Sequence, residues 1–565
     1  MNAQKEYERW LAHCTGDTLE ELKSIAGNDA EIEKRFSHRQ AFGTAGIRSV
    51  MAAGLANLNE YTVRQAARGL AYYLAESGGD KSCAIGYDCR RNSRLFAEIC
   101  AAALAESGIH VHLYDRLCPT PMLSFAVRYL HCGAGIVISA SHNTKEYNGL
   151  KCYGPDGGQM TEIPAARVSE AIEKIDLFEP VKLTFDAAMA SGLVTFIPDS
   201  VWQAYYTRIS QEAISPENVR KAALRVVYSP LCGAGGEPVH EILHRLGAEV
   251  FTPDSQAKPS GEFATCPNPN PENEAAFAES YKLADKVHPD LVMATDPDSD
   301  RIAVSVPVAG GFRKLSGNEM GCLLLQYILE NLKKTGKLPA HPVAVKSIVS
   351  TPLADKVAAA YGCEMRTVLT GFKYIGGVIL ELEQAGHPED FVLGFEESCG
   401  YLKGDYARDK DAVVTAMLIS EMAAGYKLAG KTLADGADEL YKTYGFYATG
   451  LQNVLFTSDE QKARCMALME QLRAQPPRQM AGRDVTAVSD FREGVTRDLA
   501  TGAAEPTGLP KENMVVLTLG EHGRIILRPS GTEPKIKFYY TSRADSMPAA
   551  EAGIQAMTDA MTKLL

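Results

Sequence analysis

Short apolar runs alternate with helical patterns along most of the chain. Residues 83–115 and 224–253 each read as strand, loop, helix and strand, and the apolar runs before residues 139, 296 and 348 begin in the same way. This alternation is typical of βαβ units with a parallel or mixed sheet. Ligands bind beyond the carboxyl ends of such strands, so we expect the chemistry in the loops that follow the apolar runs.

The last part of the chain has a different pattern. Between residues 513 and 542, apolar and polar residues alternate around a glycine turn, which predicts an antiparallel hairpin with a loop after it. A chain of 565 residues is too long for one hydrophobic core. Shifts in composition predict four domains, at residues 1–200, 201–315, 316–445 and 446–565.

Composition narrows the classes of partner. The net charge of −12 argues against nucleic acid, since phosphate backbones are bound by an excess of Lys and Arg, but a few clustered basic residues can still attract a small anion. The 13 cysteines include no C-x-x-C pair, so we expect neither a disulfide framework nor a structural zinc site. The polar N-terminus and the lack of any run near about 18 apolar residues predict a cytoplasmic protein without a membrane partner.

Three aspartates, Asp296, Asp298 and Asp300, follow the apolar run DLVMA at alternate positions. Alternate residues of an extended segment share a face, so we expect the three carboxylates to converge. Such oxygens suit a hard divalent cation, and Mg²⁺ is the usual choice beside a phosphate. An EF-hand is excluded, because its required Gly and Glu are Arg301 and Pro307 here. A solvated acidic turn is an alternative, and so is Asp296 as a phosphoryl acceptor.

Two further loops carry hydroxyl and basic side chains. The segment GIVISASHNTKEYNGLK presents Ser141, which we expect to be exposed, beside His142 and ahead of Lys151. Arginine can hold a phosphate bidentately, and hydroxyls and loop amides supply further donors. The segment LRPSGTEPKIKF brings such groups together in Arg528, Ser530, Gly531 and Thr532. Taken alone, an ordinary Pro-Ser-Gly turn is the simpler explanation of this second segment.

Other polar residues in the loops are weak indications singly. Glu396 and Ser398 follow the run DFVLGF and are suited to sugar hydroxyls. Lys373 follows a glycine, Lys410 lies in the segment RDKD, and Arg48 follows GTAGI. Together with the serine and the three aspartates, these residues favour phosphoryl transfer, in which catalysis is mostly positioning and charge neutralisation.

Four motifs, SASHNT, DPDSDR, FEES and RPSGTEP, occur in this order and, with the opening GTAGIR, span nearly the whole chain. In this combination the chain resembles the α-D-phosphohexomutases, in particular the phosphoglucomutase branch that also contains phosphopentomutases and glucose-1,6-bisphosphate synthases. The resemblance implies four domains around a central cleft: three related α/β domains with mixed sheets and a C-terminal α+β domain of the TATA-box-binding-protein-like fold. Two positions depart from the family pattern, since Thr144 replaces the usual Pro and Ser49 replaces a common Gly.

The resemblance also implies roles for individual residues. Ser141 would carry the phosphoryl group and contribute to the Mg²⁺ site formed by Asp296, Asp298 and Asp300. The substrate would be bound by Glu396, Ser398 and Arg301 and, at its distant phosphate, by Arg528, Ser530, Gly531 and Thr532. Acid and base duty would be shared among residues that line the cleft, namely Arg48, His142, Lys151, Lys373 and Lys410.

The implied activity is a mutase that moves a phosphoryl group between the 1- and 6-positions of glucose phosphate, with glucose 1,6-bisphosphate as intermediate and activator. Its partners would be sugar phosphates, and the chain would be a monomer or weak homodimer. A phosphopentomutase and a glucose-1,6-bisphosphate synthase are alternatives within the branch. A metal-dependent sugar phosphatase needs the same groups, whereas a non-catalytic sensor would have lost Ser141 or an aspartate, all of which are present.

Overall fold

The computed structural model describes residues 2–43, 46–530 and 535–565. The chain begins with helices α1 (Ala3–His13), α2 (Gly16–Ser24) and α3 (Asp29–Phe36). Trp10 is fully buried and packs edge-on against Phe36, Tyr61 and Phe178, with ring centroids 5.4–5.7 Å apart. Because Tyr61 and Phe178 belong to the unit that follows, the N-terminal helices are fastened to that unit.

The first α/β unit contains the predicted strand–loop–helix pattern. Its elements are β1 (Ile47–Val50), α4 (Glu60–Ser77), β2 (Ser82–Tyr87), α5 (Ser93–Ala105), β3 (His110–Leu113), α6 (Thr120–Tyr129), β4 (Ala134–Ile138), β5 (Tyr147–Tyr153), α7 (Glu162–Lys174), α8 (Phe185–Ala190) and β6 (Val194–Phe196). The strand order is β1-β5-β4-β2-β3-β6. Strands β2 and β4 are buried along their whole length, as expected of strands covered by helices on both faces.

The second unit repeats this plan with one strand fewer. Its elements are α9 (Asp199–Ser210), α10 (Glu217–Lys221), β7 (Arg225–Ser229), α11 (Gly236–Leu246), β8 (Glu249–Phe251), α12 (Asp254–Ala257), α13 (Ala278–Val287), β9 (Leu291–Thr295), β10 (Ile302–Val308) and β11 (Gly311–Leu315). The strand order is β11-β10-β9-β7-β8. A 3₁₀ turn at Glu274–Phe277 leads into α13.

The third unit contains α14 (Gly317–Lys334), β12 (Val343–Ser347), α15 (Leu353–Ala360), β13 (Glu364–Val368), α16 (Phe372–Gln384), β14 (Phe391–Glu396), β15 (Gly400–Leu402), α17 (Ala412–Leu428) and α18 (Leu433–Tyr444). A 3₁₀ turn at Pro388–Asp390 precedes β14. The strand order is β13-β12-β14-β15. A capping box starts α14, in which the Ser316 and Glu319 side chains accept from each other's backbone N–H groups.

One arrangement of strands recurs in these three sheets. It reads β5-β4-β2-β3 in the first, β10-β9-β7-β8 in the second and β15-β14-β12-β13 in the third. In each case a central strand pairs parallel with both neighbours, and the outer strand beyond one of them runs antiparallel. The prediction of related α/β units with mixed sheets is therefore confirmed. The residue boundaries between domains stay a prediction.

The C-terminal unit is antiparallel. It contains β16 (Phe446–Leu455), α19 (Asp459–Ala474), β17 (Gln479–Met480), β18 (Arg483–Asp484), β19 (Ala487–Asp490), β20 (Val495–Asp498), β21 (Ala504–Pro506), β22 (Val515–Thr518), β23 (Gly523–Pro529), β24 (Lys535–Ala544) and α20 (Met547–Thr562), with a 3₁₀ turn at Gly520–His522. Its main sheet has the order β16-β24-β23-β22-β19-β20-β21. The predicted hairpin is β22 and β23, and the loop expected after it leads into β24.

The C-terminal unit is docked on the third unit. Ile348 and Val349, just after β12, pack against Phe491 and Tyr539 in one apolar cluster. The buried guanidinium of Arg524 donates to the carbonyl oxygens of Ile348 and Ser350, at 2.6 and 3.1 Å. These contacts hold the start of β23 against the loop after β12, and the predicted phosphate-binding segment begins at the other end of the same strand.

Tests of length and apolar character find no single helix in the described ranges able to cross a membrane. Taken as a pair, α17 and α18 have the length and apolar composition of a membrane span, but the two helices meet at a bend of 86°.

The middle of the first sheet leaves no room for a side chain at Gly149. This glycine pairs with Arg48 on β1, and its carbonyl accepts from the N–H of Ser139 at 3.0 Å. A Cβ atom there would lie 2.5 Å from the Ser139 carbonyl oxygen and 2.8 Å from that of Ile47. Gly149 thus allows β1 and the loop after β4 to approach each other.

We expect Gly149→Ala to lower the melting temperature and the activity together, because overpacking costs about 1–3 kcal/mol and displaces both segments. The matched control is Gly377→Ala in α16, where nothing lies within 4 Å and alanine favours the helix. Thermal unfolding and turnover assays check this. A Gly149→Ala variant as stable and active as the control would contradict the packing argument.

Candidate active site

The loop after β4 places Ser141 in a buried position, so the expectation that this serine is exposed is wrong. Ser141 is only 2% exposed, because neighbouring units close over the loop. The Ser141 hydroxyl donates to Asp296 Oδ2 at 2.6 Å and lies 3.1 Å from His142 Nδ1. Its N–H donates to Ser139 Oγ at 2.8 Å. The serine of the first unit and the acidic loop of the second therefore share one site.

The three predicted carboxylates converge at the end of β9. Ligand oxygens of Asp296, Asp298 and Asp300 lie within 4.8 Å of one another, and all three residues are buried. The backbone N–H groups of Asp300 and Arg301 donate to Asp296 Oδ1 at 3.1 and 3.0 Å, which curls the loop around that carboxylate. This confirms the predicted convergence and excludes the solvated acidic turn.

The donor set fits a divalent cation. Within the described residues, Asp298 Oδ1 and Asp300 Oδ1 are buried and have no hydrogen-bond partner. Burial, together with the charges of Asp298 and Asp300, raises the pKa of Asp296 well above its usual range. A cation among these oxygens would satisfy the unpaired atoms and relieve the repulsion.

Two lysines from different units face the carboxylates. Lys151, on β5, reaches Asp298 Oδ2 at 2.6 Å and Asp300 Oδ2 at 3.4 Å. Lys410, in the third unit, reaches Asp300 Oδ2 at 3.2 Å. Burial opposes the charge of each lysine, but the aspartates outweigh it and raise both pKa values. Both side chains are therefore held as cations.

His142 has the opposite electrostatic setting. Burial, with the nearby charges of Arg301 and Arg48, lowers its pKa well below the usual range. Its imidazole is neutral at physiological pH, so one ring nitrogen can accept a proton while the other donates. Arg48 lies on the same side of the loop, where its Nη1 donates to Asn143 Oδ1 at 3.0 Å.

The predicted sugar-binding residues lie where β14 ends. Glu396 is its last residue and accepts from the N–H of Gly371 at 2.8 Å, while Ser398 follows in the turn to β15. Between them, burial and then Glu396 raise the pKa of Glu397 to about 7, and Glu397 accepts from Ser347 Oγ at 3.0 Å. The loop is thus anchored to the end of β12 through Ser347 and to the start of α16 through Gly371.

The side chains or backbone groups of the remaining predicted residues also bind groups beyond the acidic cluster. Lys373 Nζ lies 2.7 Å from Glu162 Oε1, which joins the third unit to the first. Arg301 Nη1 donates to Glu272 Oε1 at 2.5 Å, and Arg528 Nε donates to Glu512 Oε1 at 2.5 Å. Ser530 donates its N–H to the Lys535 carbonyl at 2.9 Å. Gly531 and Thr532 lie outside the described residues.

Several residues in the site were missed by sequence reasoning. Thr120 Oγ1 donates to Asp298 Oδ2 at 3.0 Å from the start of α6. Asp409 accepts from Lys410 Nζ at 2.8 Å and from Tyr153 OH at 2.9 Å. The position of Asp409 beside Lys410 in the segment RDKD was a usable signal, whereas nothing in the local sequence marks Thr120.

Comparisons with known proteins agree with this geometry. Models of the phosphoglucomutase/phosphomannomutase family match the chain in four parts: the α/β/α domain I at residues 39–179, domain II at 203–310, domain III at 316–444 and the C-terminal domain at 485–556. This chain belongs to that family. It is therefore an enzyme, a mutase of hexose phosphates.

Individual relatives match over nearly their full length. The phosphoglucomutase of Staphylococcus aureus (strain USA300) is 36% identical over 562 residues, which is 98% of this chain and 99% of the relative. A putative phosphomannomutase from Thermus thermophilus has the same fold, with a TM-score of 0.67, 23% identity and coverage of 93% and 99% of the two chains. An N-acetylphosphoglucosamine mutase from Aspergillus fumigatus, solved with GlcNAc-6P and magnesium, has a TM-score of 0.51, 14% identity and coverage of 94% and 96%.

We expect Asp298→Asn to weaken binding of Mn²⁺, used as a spectroscopic probe of the site, by at least about tenfold, because one charged ligand is lost. Electron paramagnetic resonance titration of free Mn²⁺ measures this directly. The matched control is Asp285→Asn, an exposed aspartate on α13. Equal Mn²⁺ affinity in both variants would show that the cluster is not the metal site.

Proposed function

We propose that this enzyme interconverts glucose 1-phosphate and glucose 6-phosphate through a phosphoryl group carried on Ser141 and a glucose 1,6-bisphosphate intermediate. The observation that carries the proposal is the 2.6 Å contact between Ser141 Oγ and Asp296 Oδ2 inside a buried cluster of carboxylates and lysines. An ordinary structural serine has no need of two buried cations and three carboxylates, whereas phosphoryl transfer needs charge of both signs at fixed positions.

Mg²⁺ is the metal that we propose for this enzyme. Asp296, Asp298 and Asp300, with an oxygen on Ser141, would hold it, and their hard oxygen donors match its preference. When bound, the ion supplies charge neutralisation and orientation at the phosphoryl group. The magnesium in the Aspergillus fumigatus relative is in keeping with this choice.

The first transfer breaks the phosphorus–oxygen bond at Ser141 and forms a new one to a free hydroxyl of the sugar monophosphate. The hydroxyl gives up its proton, and Ser141 Oγ takes one up. The Ser141 proton points to Asp296 Oδ2, and the neutral imidazole of His142, with Nδ1 3.1 Å from Ser141 Oγ, is placed to donate a hydrogen bond to that oxygen. Lys151 and Lys410 remain cationic and offset negative charge on the phosphoryl group.

The second transfer requires the bisphosphate to present its other phosphate to Ser141. The sugar hydroxyls would be held by Glu396 and Ser398, and the distant phosphate by Arg528, Ser530, Gly531 and Thr532. Arg528 donates to Glu512 through Nε, and its two outer guanidinium nitrogens would bind the phosphate. Because Ser141 is buried, water has little access to the phosphoryl group, and transfer is favoured over hydrolysis.

Ser141→Ala should lower kcat by about a thousandfold or more, since no other group can carry the phosphoryl intermediate. Binding of glucose 6-phosphate, measured by calorimetry, should survive because the sugar and phosphate contacts remain. Ser107→Ala, at an exposed position after α5, serves as the control. Turnover close to that of the control would remove Ser141 from the mechanism.

Side-by-side turnover of glucose 1-phosphate, mannose 1-phosphate and ribose 1-phosphate tests the substrate. With Mg²⁺ present, we expect glucose 1-phosphate to be isomerised best and catalytic glucose 1,6-bisphosphate to stimulate the reaction. Preference for ribose 1-phosphate would identify a phosphopentomutase, and net accumulation of the bisphosphate a synthase. Steady release of inorganic phosphate without isomer would indicate a phosphatase instead.

A further inference from the structure

A single arginine, Arg90, binds several backbone groups of the loop after β4, which carries Ser141. It follows β2, is 3% exposed, and has no part in the mechanism above. Its guanidinium donates to four carbonyl oxygens of the loop, those of Ser141 and Asn143 at 2.5 Å each, Thr144 at 2.9 Å and Tyr147 at 3.1 Å. One side chain thus fixes both the turn that carries Ser141 and the segment that returns to β5.

The conformation at Ser141 requires such support. Its φ angle is +51°, in the left-handed region that residues other than glycine rarely adopt. Strained backbone of this kind persists only where surrounding contacts over-determine it, and it is frequent at functional sites. The Ser141 carbonyl is held by Arg90, and its N–H is held by Ser139 Oγ at 2.8 Å.

These contacts form a closed ring of buried groups. Ser139 Oγ donates to Asp88 Oδ2 at 2.7 Å, and Arg90 Nε lies 3.3 Å from the same oxygen. Asp88 thereby holds both the hydroxyl and the guanidinium that meet at Ser141. The ring joins the ends of β2 and β4, which are neighbours in the first sheet.

The second unit also contacts Arg90. The Phe263 ring lies under the guanidinium, 5.0 Å from ring centroid to Cζ, and a Cβ at Gly261 would lie 2.9 Å from Arg90 Cα. The unit that carries Asp296, Asp298 and Asp300 therefore packs directly on the residue that orients Ser141. Docking of the two units and orientation of the serine are mechanically linked at this point.

We propose that Arg90 is a positioning residue, which holds Ser141 in its left-handed conformation so that the hydroxyl meets the acidic cluster and the transferred phosphoryl group. The inference rests on the proposed role of Ser141. Lysine cannot replace arginine here, because the contacts need a planar fork of several N–H donors instead of one point charge. We call Arg90 and its four carbonyl contacts the clamp. The clamp also makes the loop more rigid near Thr144, where the family pattern has proline.

The test uses Arg90→Ala in the full-length enzyme. We expect kcat to fall by about a hundredfold or more from misplacement of the serine, while the KM for glucose 1-phosphate stays near that of the wild type. Guanidinium chloride at millimolar concentration should restore part of kcat by filling the vacated space. Transfer from glucose 1,6-bisphosphate to Ser141, followed by intact mass, should slow in the same proportion and recover with guanidinium.

Arg94→Ala is the matched control, since it removes an exposed arginine four positions away on α5. It should keep wild-type kcat and show no response to guanidinium. If Arg90→Ala fails to fold, Ser139→Ala tests the same ring from the other side and should lower kcat with little change in KM. Arg90→Lys should keep the charge, fold, and remain slow.

Wild-type kcat in Arg90→Ala or Ser139→Ala would overturn the clamp. The clamp would also be overturned if Arg90→Ala had the melting temperature of the wild type but lost kcat in a way that guanidinium did not restore. A wild-type enzyme that neither isomerises sugar phosphates nor accepts a phosphoryl group on Ser141 would overturn the proposed function first, and the clamp with it.

Discussion

The charge balance around three buried carboxylates is the constraint on which the rest of the structure depends. Asp296, Asp298 and Asp300 come from one short loop of the second unit, but the cations that face them are Lys151 from the first unit and Lys410 from the third. Buried charges without partners are strongly unfavourable, so these units are stable together only in a register that brings the partners into contact. The same contacts that dock the units therefore assemble the reactive centre.

The repeated strand arrangement makes this assembly possible. In each of the first three sheets, residues of the candidate site lie at the carboxyl end of the strand between the central strand and the antiparallel one. There β4 leads to Ser141, β9 leads to Asp296 and β14 ends at Glu396. The loops at the ends of three similar sheets meet, and this brings together the proposed nucleophile, the acidic cluster and the proposed sugar-binding loop. The C-terminal unit adds a basic segment through its contact with Ile348 and Ser350.

The electrostatics separate the roles of groups that look similar in the sequence. His142 and Lys151 flank the same serine, yet burial and neighbouring arginines keep the imidazole neutral while aspartates keep the lysine charged. The imidazole serves as a neutral hydrogen-bonding group, and the lysine serves as a fixed cation. This distinction follows from which side chains surround each group, and no local sequence pattern contains it.

Local sequence predicted much of the site because its chemistry lies in short contiguous loops. The alternate spacing of the aspartates, the βαβ alternation and the C-terminal hairpin are consequences of strand geometry and hydrophobic periodicity, which act over a few residues. The exposure of Ser141 was predicted wrongly, because a polar loop looks solvent-facing until a second unit closes over it. The sequence did not indicate a role for Arg90 for a related reason: its partners are backbone carbonyl oxygens, which every residue has.

By itself, the sequence determined the class of fold and the family, and it supplied the set of groups that we propose for phosphoryl transfer. Only the tertiary structure decided which of these groups meet. Contacts such as Lys151 with Asp298 join residues 147 positions apart, and their energies depend on burial and on distances of a few ångströms. Such long-range, low-dielectric interactions leave no periodic trace in the chain, and they decide the protonation states and the orientation of the serine.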